Sequence, residues 1–338
     1  MSNLLGKLLQ NARKLQLNEG VIDDIKSGLD LTFGPDRRLL ESDDLHFVIN
    51  SKLILSESQN AVILLSGGED SSYLLTLCVD KFGPDRVKAV AVSTKSNADD
   101  LERARAICSK LEVEFIKFYP PILELEKFAT RFFSSFGRFS RDPAQPIHNL
   151  LVNRASRMYP NHVIFDGQFA DTVLYSNPHN SLLLFRELFP LLSRLIGFFL
   201  KMFRVFIPAS RTRQRLGTIS RLLGASNIVN FIIEAAGLPR TKYVKNELSK
   251  ILKDYSSQTL LTAAFYFGLT MQRERDKYKL YNENIVLPFD SPELLPLVDK
   301  NIETFVSMRL RKIPIHNFLV LRYGSIFSKQ RTLPFEVR

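Results

Sequence analysis

Residues 61–72 read AVILLSGGEDSS, and their reading decides the fold. Residues 61–65 are an unbroken apolar run, the pattern of a parallel strand buried on both faces. The run stops at Ser66-Gly67-Gly68, and Glu69, Asp70, Ser71 and Ser72 follow. A buried strand that passes through a glycine turn into a helix start aims backbone N–H groups at phosphate. Two adjacent glycines let the backbone approach an anion closely, and Ser71 and Ser72 add hydroxyl donors. Asp70 would repel a phosphate by itself. It is accounted for if a Mg²⁺ lies between the two charges. The stretch therefore predicts a site for a nucleoside triphosphate and its metal. The spacing is neither G-x-x-x-x-G-K-[ST], since no lysine follows the glycines, nor G-x-G-x-x-G.

Outward from this loop the chain alternates strand and helix. Tyr73, Leu74, Leu77 and Cys78 form the buried stripe of a helix over 71–81. VKAVAVST (87–94) reads as a second buried strand. Leu101, Ala104, Ile107, Cys108 and Leu111 give a helix over 99–111, VEFIKF (113–118) a third strand, and HVIFDG (162–167) a fourth. The pattern predicts an α/β fold with a doubly wound parallel sheet and a ligand at the carboxyl ends of its strands. Residues 181–285 read as mostly helical, and the last fifty as irregular and punctuated by proline. Residues 1–59 read as an N-terminal extension. Leu4, Leu5, Leu8, Leu9, Ala12 and Leu15 lie on one helical face there, and LHFVIN and KLILS read as short strands or a helix lead-in. Residues 60–338 form the nucleotide domain.

Composition bounds the rest. With 338 residues, 45% hydrophobic and 24% charged, the chain has enough apolar material for a sizeable core. Two cysteines, Cys78 and Cys108, lack metal-ligand spacing and read as buried free thiols of a reducing cytoplasm. Residues 1–20 lack the continuous apolar core of a signal peptide, and no uncharged apolar stretch is long enough to span a bilayer. The net charge of +11 would suit an anionic partner. No interleaved basic-aromatic motif accompanies it, which argues against nucleic acid. The segment SLLLFRELFPLLSRLIGFFLKMFRVF (181–206) reads as a core or partner-facing helix, with a membrane-surface helix as the alternative. His148 and His162 read as structural.

The pattern S-G-G-x-D-S-S resembles the pyrophosphate loop of the ATP pyrophosphatases (PP-loop proteins), which implies an adenine nucleotide alpha hydrolase-like sheet and cleavage of ATP between its α and β phosphates. A second segment, DGQFADT (166–172), resembles the S-G-E-G-A-D-E signature of asparagine synthetase-type enzymes. Two carboxylates at one sheet edge can share a hard cation that also bridges triphosphate oxygens. The resemblance makes Asp70 and Asp171 those ligands. Residues 273–297, with Pro288, Phe289, Asp290 and Leu294 in register, are similar to that family's E-x-R-x-P-F-x-D-x-x-L stretch. IFSKQRTLPF (326–335) is similar to its R-P-K-x-G-F segment and puts Lys329 on the catalytic lysine, where it would neutralise charge at the α-phosphate. In this reading Ser66, Gly67, Gly68, Ser71 and Ser72 cradle pyrophosphate, while Leu65, Asp166 and Gly167 line the adenosine pocket. The likeness covers roughly residues 45–338.

This chain departs from the family pattern at Gln168, Phe169 and Thr172, where the family has Glu, Gly and Glu. A glutamine cannot act as a general base. The glutamine-hydrolysing domain has no counterpart in 59 residues. The resemblance implies an amide-forming ligase that uses ATP and Mg²⁺ to adenylate a small-molecule or peptide carboxylate other than aspartate. Ammonia, from a possible separate glutaminase subunit, or an amine would then attack. The alternatives are a tRNA-modifying PP-loop ATPase and a non-catalytic nucleotide-binding protein.

Overall fold

The computed structural model describes residues 20–33, 42–93, 98–136, 144–174, 178–207, 211–278, 284–295 and 313–328. In chain order its elements are α1 (Val21–Phe33), α2 (Ser42–Lys52), β1 (Ala61–Leu64), α3 (Glu69–Phe82), β2 (Val87–Val92), α4 (Ala98–Lys110), β3 (Glu114–Phe118), α5 (Ile122–Phe136), α6 (Ala144–Met158), β4 (Val163–Asp166) and α7 (Ala170–Val173). There follow α8 (Pro178–Leu188), α9 (Pro190–Phe203), α10 (Arg211–Leu223), α11 (Ile228–Ala236), α12 (Lys242–Ile251), α13 (Ser257–Tyr266), α14 (Leu269–Tyr278), β5 (Ile285–Val286), α15 (Ile313–Tyr323) and α16 (Ser325–Ser328).

The five strands form one parallel sheet in the order β3-β2-β1-β4-β5. The expected α/β fold with its doubly wound sheet is therefore present. Chain order reverses between β1 and β4, so a crevice opens there at the carboxyl edge, where sheets of this kind take their ligands. Leu64 pairs with Asp166 in register, which brings Leu65 level with Gly167.

Side chains alternate across the sheet with period two. Ala61, Ile63 and Leu65 join Val163 and Phe165 on one face, under Leu74 and Cys78 of α3, Leu45 and Ile49 of α2, and Leu319 of α15. Val62, Leu64 and Ile164 face the other way, onto Ile147, Leu151 and Ala155 of α6. The segment around LHFVIN, expected as short strands or a helix lead-in, is a helix whose Leu45 and Ile49 are four apart and fully buried. A hydrogen bond between the Tyr73 hydroxyl and His46 Nδ1 (2.9 Å) ties that helix to α3. The helical face expected over 4–15 lies outside the described residues.

The C-terminal half is helical, as expected, around a third core. Ile22, Ile25 and Leu29 of α1 pack there with Phe231, Leu248, Leu261 and Phe265. Its helix starts follow local capping chemistry: Asn227, Thr241 and Ser256 each accept a hydrogen bond from the backbone N–H three residues on. The C-terminus of α10 is closed by a distant side chain. Arg186 of α8 is buried and donates to the carbonyls of Leu222 and Leu223 (both 3.2 Å) and of Ala225. Cys78 and Cys108 are buried and unbridged, and burial pushes the Cys108 thiol up to about 12. Among the described residues no helix is long and apolar enough to cross a membrane.

The span 181–206 is not one helix. It breaks at Phe189-Pro190 into α8 and α9, and α8 alone supplies buried leucines, Leu183 and Leu184. Replacing Arg186 by leucine should leave three carbonyls at the end of α10 without their donor. The expected cost is about 1.5–3 kcal/mol, read as a lowered urea midpoint. An unchanged midpoint would contradict the capping role.

Candidate active site

The loop after β1 is held by its own hydroxyls. Ser66 N–H donates to Ser71 Oγ (3.1 Å), the two serine hydroxyls lie 3.0 Å apart, and Gly68 N–H donates to Ser66 Oγ (3.2 Å). Ser71 Oγ in turn donates to the Gly68 carbonyl (3.3 Å). Gly68 is the capping position of α3 and makes no side-chain cap. Helix geometry leaves first-turn N–H groups without intrahelical acceptors, so the start of α3 is built as an anion-facing terminus.

Two glycines let this loop sit where it does. Gly67 has φ +80, and a Cβ there would come within 2.0 Å of the Asp100 carbonyl oxygen in the first turn of α4. Gly67 is thus required by a left-handed backbone and by contact with α4. A Cβ on Gly167, after β4, would meet Ser71 N at 3.3 Å and Asp70 Cβ at 3.4 Å. The two loops expected to share a nucleotide site therefore touch, with Asp70 at the seam.

The remaining expected residues divide by what their side chains face. Asp70 is half-buried and Asp171 is exposed. Leu65 is buried in the core under α3. Ser72 is also fully buried, and its hydroxyl has no hydrogen-bond partner. Its side chain points into the fold rather than toward a phosphate. Asp166 is 3% exposed, and its carboxylate is engaged within the protein. It accepts from Gln168 N–H (3.2 Å) and the Tyr278 hydroxyl (2.8 Å), and His148 Nε2 lies 2.9 Å away. Any contact Asp166 makes to a nucleotide falls to its backbone. Lys329 lies outside the described residues.

Sequence reasoning passed over several residues that order this edge. His316 of α15 places Nδ1 2.7 Å from the Glu69 carboxylate, and Thr76 Oγ1 lies 2.7 Å from the Tyr323 hydroxyl in a buried contact. Both pin α15 across α3. One face of α14, with spacing four then three, grips the loop after β4. Met271 accepts from the Thr172 hydroxyl (3.7 Å), Arg275 lies over the Phe169 ring (5.2 Å to its centroid), and Tyr278 holds Asp166. Arg275 is itself fixed by a bidentate bond to Asp290 (Nε to Oδ2 2.8 Å, Nη2 to Oδ1 2.6 Å), which also accepts from the Tyr266 hydroxyl (2.8 Å). Burial, then the Asp290 carboxylate, pushes the Tyr266 phenol up, so it remains a donor.

Phe169 has φ +78, a left-handed conformation that a bulky side chain adopts at a cost of roughly 1–3 kcal/mol. Its ring is buried against Arg275 and edge-on to Tyr266, and that packing holds the conformation. Two of the departures from the asparagine synthetase pattern, Phe169 and Thr172, are thus contacts to α14.

A family model described as NAD synthase matches residues 42–135 of this chain. Two curated relatives, each called NH(3)-dependent NAD(+) synthetase, come from Thermotoga maritima and Thermotoga neapolitana. Each is 39% identical over 70 residues, which is 20% of this chain and 25% or 24% of the relative. The matched stretch thus spans about a quarter of the length of these relatives. A solved structure, the NH3-dependent NAD synthetase from Campylobacter jejuni in complex with the nitrate ion, shares 24% identity over 40% of this chain and 58% of its own, with a TM-score of 0.29. Residues 42–135 are thus similar to a family of the PP-loop kind. The matches name NAD synthase and not the asparagine synthetase type that the second signature resembles. The family model covers the first loop and stops before residue 166.

Alanine at Gly67 must adopt a strained φ and displace the Asp100 carbonyl, so it should destabilise by at least about 1–3 kcal/mol. Alanine at Gly167 meets only a tight contact and should cost less. Thermal unfolding of the two variants checks this, and equal losses would contradict the geometry.

Proposed function

We propose that this chain is an ATP-dependent carbon–nitrogen ligase that forms AMP and pyrophosphate. It activates a carboxylate as an acyl-adenylate, and ammonia or an amine then displaces AMP to give an amide. The observation that carries this reading is the contact between the Ser66–Ser71 loop and Gly167 at the point where sheet order reverses.

The residues present fit Mg²⁺ bound together with a nucleotide. No group of three or more His, Cys, Asp or Glu side chains that could hold a metal is found among the described residues. Mg²⁺ commonly uses one or two carboxylates and takes its other ligands from water and phosphates. Asp70 and Asp171 would hold it, and it would supply charge neutralisation at the triphosphate. The start of α3, with Gly68 as its open cap, receives the β and γ phosphates. The Ser66 and Ser71 hydroxyls keep the loop in shape for that contact, and the backbones of Leu65, Asp166 and Gly167 border the adenosine. Lys329 stabilises charge at the α-phosphate as pyrophosphate leaves.

The relatives named NH(3)-dependent NAD(+) synthetase favour ammonia as the nucleophile and a deamido-NAD-like carboxylate. The ammonia arrives free or from a separate glutaminase subunit. Phe169 and Thr172, where the asparagine synthetase pattern has Gly and Glu, weigh against aspartate as the acid.

Pyrophosphate release should be measured with ATP and Mg²⁺ across deamido-NAD, aspartate and other carboxylic acids, with and without ammonia. The expected result is release that requires one acid and falls at least about a hundredfold in Asp70→Asn. Tight ATP binding without acid-dependent release would overturn the ligase reading.

A further inference from the structure

Helix α9 is amphipathic in reverse. Its inner face carries the small residues Ser193 and Gly197, both buried, while large apolar side chains face out. Leu191 is 80% exposed, Leu195 53%, Phe198 58%, Met202 51%, Phe203 60%, and Phe206, just beyond the helix, 82%. A helix that packs against a water-soluble core does the opposite, burying leucine and phenylalanine.

The inner face has its own logic. A Cβ on Gly197 would lie 2.8 Å from Gly224 N and 3.1 Å from the Ser220 carbonyl oxygen, so α9 meets α10 backbone to backbone. Ser193 and Gly197 are four apart, as are Ser220 and Gly224. Small-residue packing of this spacing joins helices whose outer faces meet lipid. It leaves most of the large apolar residues of α9 exposed, and an apolar face of this extent marks an interaction surface.

Charge selects the occupant. Between Glu187 and Glu234 the chain has no acidic residue and seven basic ones: Arg194, Lys201, Arg204, Arg211, Arg213, Arg215 and Arg221. Arg221 is paired with Glu234. Arg194 and Lys201, both exposed on α9 itself, set a positive field beside the apolar face. A second copy docked on this face would bring like charges together, whereas an anionic lipid surface satisfies both features. Among the described residues no helix is long and apolar enough to span a bilayer, so α9 would lie in the interface plane.

We infer that α9, with its apolar face inward and its basic flank at the headgroups, docks this protein on anionic lipid bilayers. The test is flotation of the full chain with phosphatidylcholine vesicles, with and without phosphatidylglycerol. The expected result is binding that needs the anionic lipid, weakens as salt rises, and drops at least about tenfold in Phe198→Ser with Phe203→Ser. Both side chains are exposed, so the double variant should keep its circular dichroism and melting temperature. Lys201→Glu, at an exposed position, should also weaken binding. Failure to bind anionic vesicles would overturn the inference, as would equal binding to both kinds. So would sedimentation showing a dimer that the double variant disperses, since a second copy would then occupy the face.

Discussion

The structure rests on close backbone contact around residues 66–71. Gly67 lies against the Asp100 carbonyl of α4, and Gly167 lies against the Asp70–Ser71 backbone of α3. These contacts lock the loop after β1 between the elements that follow β2 and β4, its two neighbours in the sheet. The Ser66–Ser71 hydroxyl pair then closes the loop on itself. With the loop fixed, the first turn of α3 faces the crevice at the carboxyl edge, and Asp70 stands where the two loops meet. A side chain at either glycine would separate elements that must touch for the crevice to be one site.

The second loop is shaped from the far half of the chain. Met271, Arg275 and Tyr278 of α14 take hold of Thr172, Phe169 and Asp166 in turn. The strained backbone at Phe169 persists because its ring is enclosed by groups that Asp290 orients. Burying Asp166 beneath three donors fixes the exit of β4 and leaves Asp171, four residues past the Gly167 contact, exposed. The helical half thus acts on the crevice through α14.

Much of this was legible in the chain itself. The run at 61–65 with its glycine turn and the β-branched run at 87–92 carry period and punctuation that survive without tertiary context, so sheet class and ligand edge could be read. The two-residue strand β5 is too short to leave a pattern. LHFVIN reads as a short strand or a helix lead-in, and the packing of Leu45 and Ile49 at helical spacing decides for the helix. Ser72 was expected to face phosphate, and its inward orientation depends on which side of α3 meets β1. The bonds of His148 to Asp166 and His316 to Glu69 join residues far apart in sequence, and local spacing carries no trace of them. Helix α9 is apolar almost all round in sequence, so only the packing of Gly197 on α10 reveals which side faces out. The first loop is common to the wider ATP pyrophosphatase group, and it is the loop that the NAD synthase match covers. That loop alone does not fix the subtype.

The proposed function requires that two loops, after β1 and β4, form one nucleotide site. Deuterium uptake at residues 66–72 and 166–171, measured with and without ATP and Mg²⁺, tests it most directly. The expected result is slowed exchange in both segments together, over the same range of nucleotide concentration. Slowing in only one of them, or in neither while another region is protected, would contradict it.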